Sequence, residues 1–207
     1  MILSADEALM LLKEGNRRFV ENRMLHPNLN ADRRTEVARQ QSPFAVVLGC
    51  SDSRVPAELV FDRGIGDLFV VRLAGNVAGT MGMASLEFAV EYLRVPLIVV
   101  LGHERCGAVQ AALDFVDKGT QYPGQLKDLV NAIGPAAQQA QGATPEERLK
   151  NAVKRNVARV AQGLRQVRPI LARYVMDGKL KIVGAYCDLE TGQVDFSVTE
   201  TYPAADG

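Results

Sequence analysis

Two short stretches concentrate the reactive side chains of this chain. Gly49-Cys50-Ser51-Asp52-Ser53-Arg54 carries a thiol, a carboxylate and a guanidinium. Gly102-His103-Glu104-Arg105-Cys106-Gly107 carries an imidazole and a second thiol. The chain has three cysteines and two histidines, and three of those five residues fall in these stretches. Two thiolates and one imidazole select zinc over magnesium or calcium, whose ligands are oxygens. A closed structural zinc site uses four protein ligands, whereas three ligands with an open fourth position is the catalytic arrangement. Asp52 is the candidate for the fourth position. Arg54 competes for it, because a guanidinium fork matches a carboxylate bidentately. Asp52 therefore either ligates the metal or turns to Arg54 and leaves that position to water.

The elements that must position these residues are strands. Each stretch follows a continuous apolar run, at 44–48 and at 97–101, with further runs at 68–71 and 180–186. Such runs suit strands covered on both faces. Helical segments fall between them, at Pro56–Phe61 and Met83–Leu93, followed by two C-terminal helices. Alternation of strand and helix predicts an α/β fold, a central mostly parallel sheet flanked by helices. The tail, with Glu190-Thr191-Gly192 between residues 184–188 and 194–198, predicts a hairpin and an antiparallel edge strand. Sites in such sheets form beyond the carboxyl ends of the strands. If runs 44–48 and 97–101 are neighbours, both loops open onto one crevice. Cys106 begins a helix, whose positive end favours the thiolate. Gly49, Gly102 and Gly107 are expected to leave room for backbone near the ion.

The rest of the chain frames that centre. Ser4-x-x-Glu7 forms a capping box ahead of an amphipathic helix carrying Leu9, Leu12 and Phe19. Residues 26–41 are too polar for a core element, with a second short helix at 32–36; they belong on a surface or on another subunit. Thr144-Pro145-Glu146-Glu147 opens a long helix expected to run to about Met176 and to end at Asp177-Gly178. The Gln/Ala-rich stretch 136–143 reads as a polar helix end or loop. Cys187 reads as core packing, His26 as a solvated loop residue, and Gly64-x-Gly66 as a turn rather than a dinucleotide fingerprint. The 207 residues suit one domain, and Lys+Arg and Asp+Glu both number 24, so no net field points to nucleic acid or membrane. The start lacks a secretory pattern and the odd cysteine count argues against a disulfide scaffold, so a reducing cytoplasm is expected.

With Cys-Ser-Asp-Ser-Arg at 50–54 and His-x-x-Cys-Gly at 103–107, the sequence resembles the β-class carbonic anhydrases, from about Leu12 to the Val183-Gly184-Ala185 strand. The resemblance implies a zinc enzyme in which zinc-bound hydroxide attacks CO2 to give bicarbonate and a proton. Cys50, His103 and Cys106 would be the metal ligands. Asp52 would accept the hydrogen bond of that hydroxide or, in a closed state, take the fourth position, and Arg54 would hold it away. Gln41, nine residues before Cys50, matches the family's active-site glutamine, able to donate to bicarbonate. Phe69 matches the aromatic wall of the CO2 pocket and Ala74 a smaller lining position, while Phe88 stands where plant-type members have tyrosine. The resemblance also implies a homodimer, or a tetramer built from it, with residues 1–42 as a helical arm against a partner and the site at the interface. The bicarbonate-regulated subclass carries a tryptophan that this chain lacks, so no such regulation is expected. Two other functions fit similar sites: hydrolysis of carbonyl sulfide or carbon disulfide, and a non-catalytic zinc site closed by Asp52.

Overall fold

A computed structural model describes residues 3–202. Positions 1–2 and 203–207 of the single domain expected over 1–207, and the first two residues of the segment examined for a leader, lie outside the described residues. Five strands form one sheet in the order β2-β1-β3-β4-β5. They are β1 (Ala45–Gly49), β2 (Leu68–Arg72), β3 (Leu97–His103), β4 (Lys181–Cys187) and β5 (Val194–Asp195). The first four pair in parallel, and β5 joins β4 antiparallel, as the sequence pattern predicts.

Burial on both faces explains the continuous apolar runs of β1 and β3, whereas β2, at the sheet edge, is mostly half-buried. Val46, Leu48, Ile98 and Val100 point into one core cluster, and Val47, Leu97, Val99 and Leu101 into another. The first cluster packs under α4 (Thr80–Glu91), α5 (Gly107–Lys118), α6 (Leu126–Gln139), α7 (Pro145–Gln166) and α8 (Leu171–Met176). The second packs under α1 (Ala5–Val20) and the single turn α3 (Ala57–Val60). Here α2 is Ala31–Val37 and α9 is Val198–Thr201, and a 3-10 turn at Ala74–Asn76 follows β2.

The Ser4/Glu7 capping box is present at the start of α1. That helix docks on its own sheet through Ala8, Leu12 and Asn16, whose amide donates to the carbonyls of Val60 and Gly192. Its other face is exposed, and α2 buries no residue, as its polarity implies. Asp62 ties the arm down, bonding Arg18 at 2.6 Å and the backbone N–H groups of Leu25 and His26.

Several expectations need correction. The long C-terminal helix does not run to Met176. It stops at Gln166, with Val167 in an extended conformation, and α8 restarts at Leu171. Pro169 explains the break, since it lacks an N–H and disfavours helix in the residue before it. The edge strand is two residues long rather than five, because the chain turns into α9 at Val198. The Gln/Ala-rich stretch is a helix end and loop as expected, with residues 138, 139 and 141–143 exposed, although its alanines at 136, 137 and 140 are buried. Gly102 makes room for a helix rather than for an ion. A Cβ there would lie 2.5 Å from Val157 and 2.9 Å from Val153, both on α7.

Candidate metal centre

Strands β1 and β3 are hydrogen-bonded neighbours with Gly49 opposite Leu101, so the two reactive loops leave the sheet side by side. Cys50, His103 and Cys106 are all buried, and their ligand atoms lie within 4.8 Å of one another. Cys106 caps α5 with extended backbone, which turns its sulfur toward the first N–H groups of that helix. His103 ends β3, and its Nδ1 lies 2.9 Å from the carbonyl of Glu104. A carbonyl only accepts, so Nδ1 carries the proton and Nε2 presents a lone pair. That Nε2 is buried with no hydrogen-bond partner among the described residues. An unsatisfied buried acceptor costs about 1–3 kcal/mol, and a cation held between it and the two sulfurs would remove the cost. The donor set and the orphaned nitrogen therefore fit a zinc ion.

The electrostatics agree. The Cys50 thiol is held well below its usual value, chiefly by the Cys106 thiol donating to it, with burial opposing and the backbone N–H groups of Asp52 and Gly75 assisting. Cys106 is pushed upward by that same contact and by burial. A divalent cation between the sulfurs would stabilise both as thiolates.

Asp52 faces Arg54, not the cluster. Arg54 Nε meets Oδ1 at 2.9 Å and Nη2 meets Oδ2 at 2.7 Å, a bidentate pair. These bonds hold the carboxyl well below the usual carboxylate range, against the opposing effect of burial. Asp52 Oδ2 remains 3.8 Å from His103 Nε2, at the rim of the cluster. Arg54 Nη2 also reaches the carbonyl of Arg105 at 3.3 Å, stitching the two loops together.

The other sequence-derived candidates are placed less closely. Phe69 is half-buried on β2 and packs against the core cluster that contains Cys50 and Cys106. Phe88 is 46% exposed on α4, with ring centroids 6.5 Å from Phe69 and 5.2 Å from Tyr92. Ala74 is exposed in the 3-10 turn. Gln41 is exposed before β1, and within this chain no hydrogen bond joins it to the three ligand residues. Cys187 is buried, its thiol raised to about 12 by burial, and His26 is exposed, as expected.

Two contributors escaped the sequence reading. Arg72 Nε donates to the Cys50 carbonyl at 3.0 Å, and its Nη2 donates to the Asp52 carbonyl. The backbone N–H of Gly75 donates to Cys50 Sγ at 3.3 Å. Arg72 ends β2 and Gly75 follows it, and β2 ends on this side of the sheet, so the carboxyl-end argument applied to that strand would have found them.

The comparisons with known proteins agree with this geometry. A family model described as carbonic anhydrase matches residues 45–194. Carbonic anhydrase 2 of Mycobacterium tuberculosis is 42% identical over 182 residues, 88% of this chain and 87% of that protein. The carbonic anhydrase of Pseudomonas aeruginosa is 37% identical over 169 residues, 77% of this chain and 75% of that protein. Among solved structures, the Coccomyxa β-carbonic anhydrase in complex with acetazolamide superimposes with a TM-score of 0.72 at 26% identity, covering 93% of this chain and 86% of that one. A tetrameric β-carbonic anhydrase of Sordaria macrospora gives 0.70 at 25% identity, covering 78% and 83%. The chain belongs to the carbonic anhydrase family, in its β class.

Proposed function

We propose that this chain is a zinc-dependent carbonate dehydratase that interconverts carbon dioxide with bicarbonate and a proton. The observation that carries the reading is the orphaned His103 Nε2 between two thiols, beside a carboxylate diverted to Arg54. Zinc held there supplies Lewis acidity, which lowers the pKa of water and makes a nucleophile available near neutral pH. Cys50, His103 and Cys106 hold the ion. Asp52, kept ionised by Arg54, is acceptor-only at the rim and orients a hydroxyl donor beside the cluster. Phe69, Ala74 and Phe88 form the apolar side on which carbon dioxide rests, and Phe88 offers no hydroxyl to it.

Gln41 reaches substrate from a second copy in a homodimer. Its exposure and its lack of a bond to its own cluster support that role, as does the edge of β2, which among the described residues pairs only with β1. The exposed face of α1 and the unburied α2 form the remainder of the contact, and pairs of dimers can build tetramers. Three free, buried thiols are consistent with a reducing cytoplasmic setting, and no helix among the described residues is long and apolar enough to cross a membrane.

The test pairs metal analysis with stopped-flow CO2 hydration for the wild type and Arg54→Ala. The expected result is one zinc per chain in both proteins, with hydration lost in the variant. Hydration unchanged in Arg54→Ala, or wild-type protein that binds zinc without hydrating CO2, contradicts the reading. The latter result would favour the closed site, and turnover of carbonyl sulfide or carbon disulfide instead would favour the hydrolase. Two thiolates offset the charge of the cation, so hydration is expected to climb above neutral pH. A rate flat from neutral to alkaline pH counts against this.

A further inference from the structure

Asn156 lies in the middle of α7, fully buried among apolar neighbours. Its Nδ2 donates to the carbonyl of Gly75 at 2.9 Å, while its Oδ1 has no partner among the described residues. A buried amide left partly unsatisfied costs stability, where an apolar side chain of the same shape would not. Gly75 is the residue whose own N–H donates to Cys50 Sγ. It has φ +65°, and a Cβ there would lie 2.7 Å from Ile133 Cδ1 and 3.2 Å from Ala108 Cβ. Its backbone therefore depends on its surroundings, and Asn156 is the side chain that grips it.

We propose that Asn156 is a positioning residue for the metal centre: by holding the Gly75 carbonyl it aims the Gly75 N–H at the Cys50 sulfur. The carbonyl and the N–H belong to the two peptides flanking the Gly75 Cα, so the effect is geometric. Holding the carbonyl plane restricts ψ at Gly75 and so narrows the orientations open to the N–H plane. An N–H bond to a ligating sulfur draws charge from it, which orients the ligand and tunes its donation to the metal. The carboxamide thus acts across the core, from a helix that contributes no ligand, on the strength of one metal–sulfur bond. The inference rests on the zinc reading given above.

The experiment compares wild type, Asn156→Leu and Leu164→Ala, the last a buried α7 residue away from the centre. Zinc affinity is measured by chelator competition, and the thiolate-to-cobalt charge-transfer band is recorded on cobalt-substituted protein. Asn156→Leu is expected to lose about 10-fold to 100-fold in zinc affinity and to shift the band to lower energy, as the sulfur becomes the more electron-rich. Leu164→Ala is expected to lower Tm with affinity and band unchanged. Folded Asn156→Leu with wild-type affinity and an unmoved band overturns the proposal. If Asn156→Leu does not fold, cadmium-113 substituted wild type decides. A through-bond coupling from cadmium to the Gly75 amide proton and slow exchange of the Asn156 carboxamide protons are both expected, and the lack of either overturns the proposal. Wild-type protein that binds no zinc would instead sink the metal reading itself.

Discussion

The two loops that bring Cys50, His103 and Cys106 together are held in different ways. Loop 50–54 is gripped by groups from outside it: Arg72 on the carbonyls of Cys50 and Asp52, and Gly75 on the Cys50 sulfur. Loop 103–106 is fixed chiefly by backbone, its own and that of β4. His103 is the last residue of a buried strand, Glu104 N–H bonds the Cys187 carbonyl at 2.9 Å, and Cys106 is the cap of α5. Cys50 is placed by groups from the end of β2 and the turn after it, His103 and Cys106 by the strand and helix that carry them. The loop with no helix of its own to lean on borrows its rigidity, because the turn α3 that follows it is only four residues long.

The largest effect that this contrast must accommodate is loss of the metal. Cys50→Ser and Cys106→Ser should each abolish stoichiometric zinc binding by metal analysis, since both sulfurs are needed whatever holds them. Arg72→Ala comes next. It removes two bonds from the first loop and none from the second, and should weaken zinc binding by about 10-fold to 100-fold in chelator competition. Zinc binding unchanged by that variant would break the contrast. Gly75→Ala should destabilise the fold by about 1–3 kcal/mol in urea unfolding, because alanine must hold φ +65° against Ile133. Glu104→Gln should have the smallest effect, about 0.5 kcal/mol or less. Its carboxylate serves exposed Arg105 and the Leu189 N–H, not a ligand.

The pH dependence separates the loops further. Asp52 has a depressed pKa in the folded state, so its contribution is complete above the ordinary carboxylate range and lost as pH falls through the depressed value. It stays ionised across neutral pH, so the rise of hydration expected above neutral pH would belong to the metal rather than to this loop. Arg54→Ala should let the carboxyl titrate closer to its ordinary value. The Asp52 carboxyl carbon, followed by NMR on metal-free protein, should then titrate at higher pH in the variant than in the wild type.

The same contrast explains what could be read from the sequence. Cys50, His103 and Cys106 were legible because a soft donor set follows two buried strands, and parallel strands end on one side. The neighbouring of β1 and β3 bears out that argument. The sheet class and the capping boxes were legible for local reasons, namely apolar runs and side chains three residues apart. The break of the last long helix was missed because Val167, Ile170 and Leu171 continue its apolar spacing, and Pro169 was outweighed by that pattern. Arg72 and Gly75 were missed because their bonds depend on the register that sets Arg72 opposite Gly49. Asn156 carries even less local signal, a single polar residue on the buried stripe of α7 that includes Val153 and Val157.

X-ray absorption at the zinc edge of protein purified with its metal tests the central claim most directly. The account predicts one zinc per chain bound by two sulfurs at about 2.3 Å and one imidazole nitrogen at about 2.0–2.1 Å, with a light atom completing the shell. A shell of nitrogen and oxygen alone, a single sulfur, or protein that retains no zinc would contradict it.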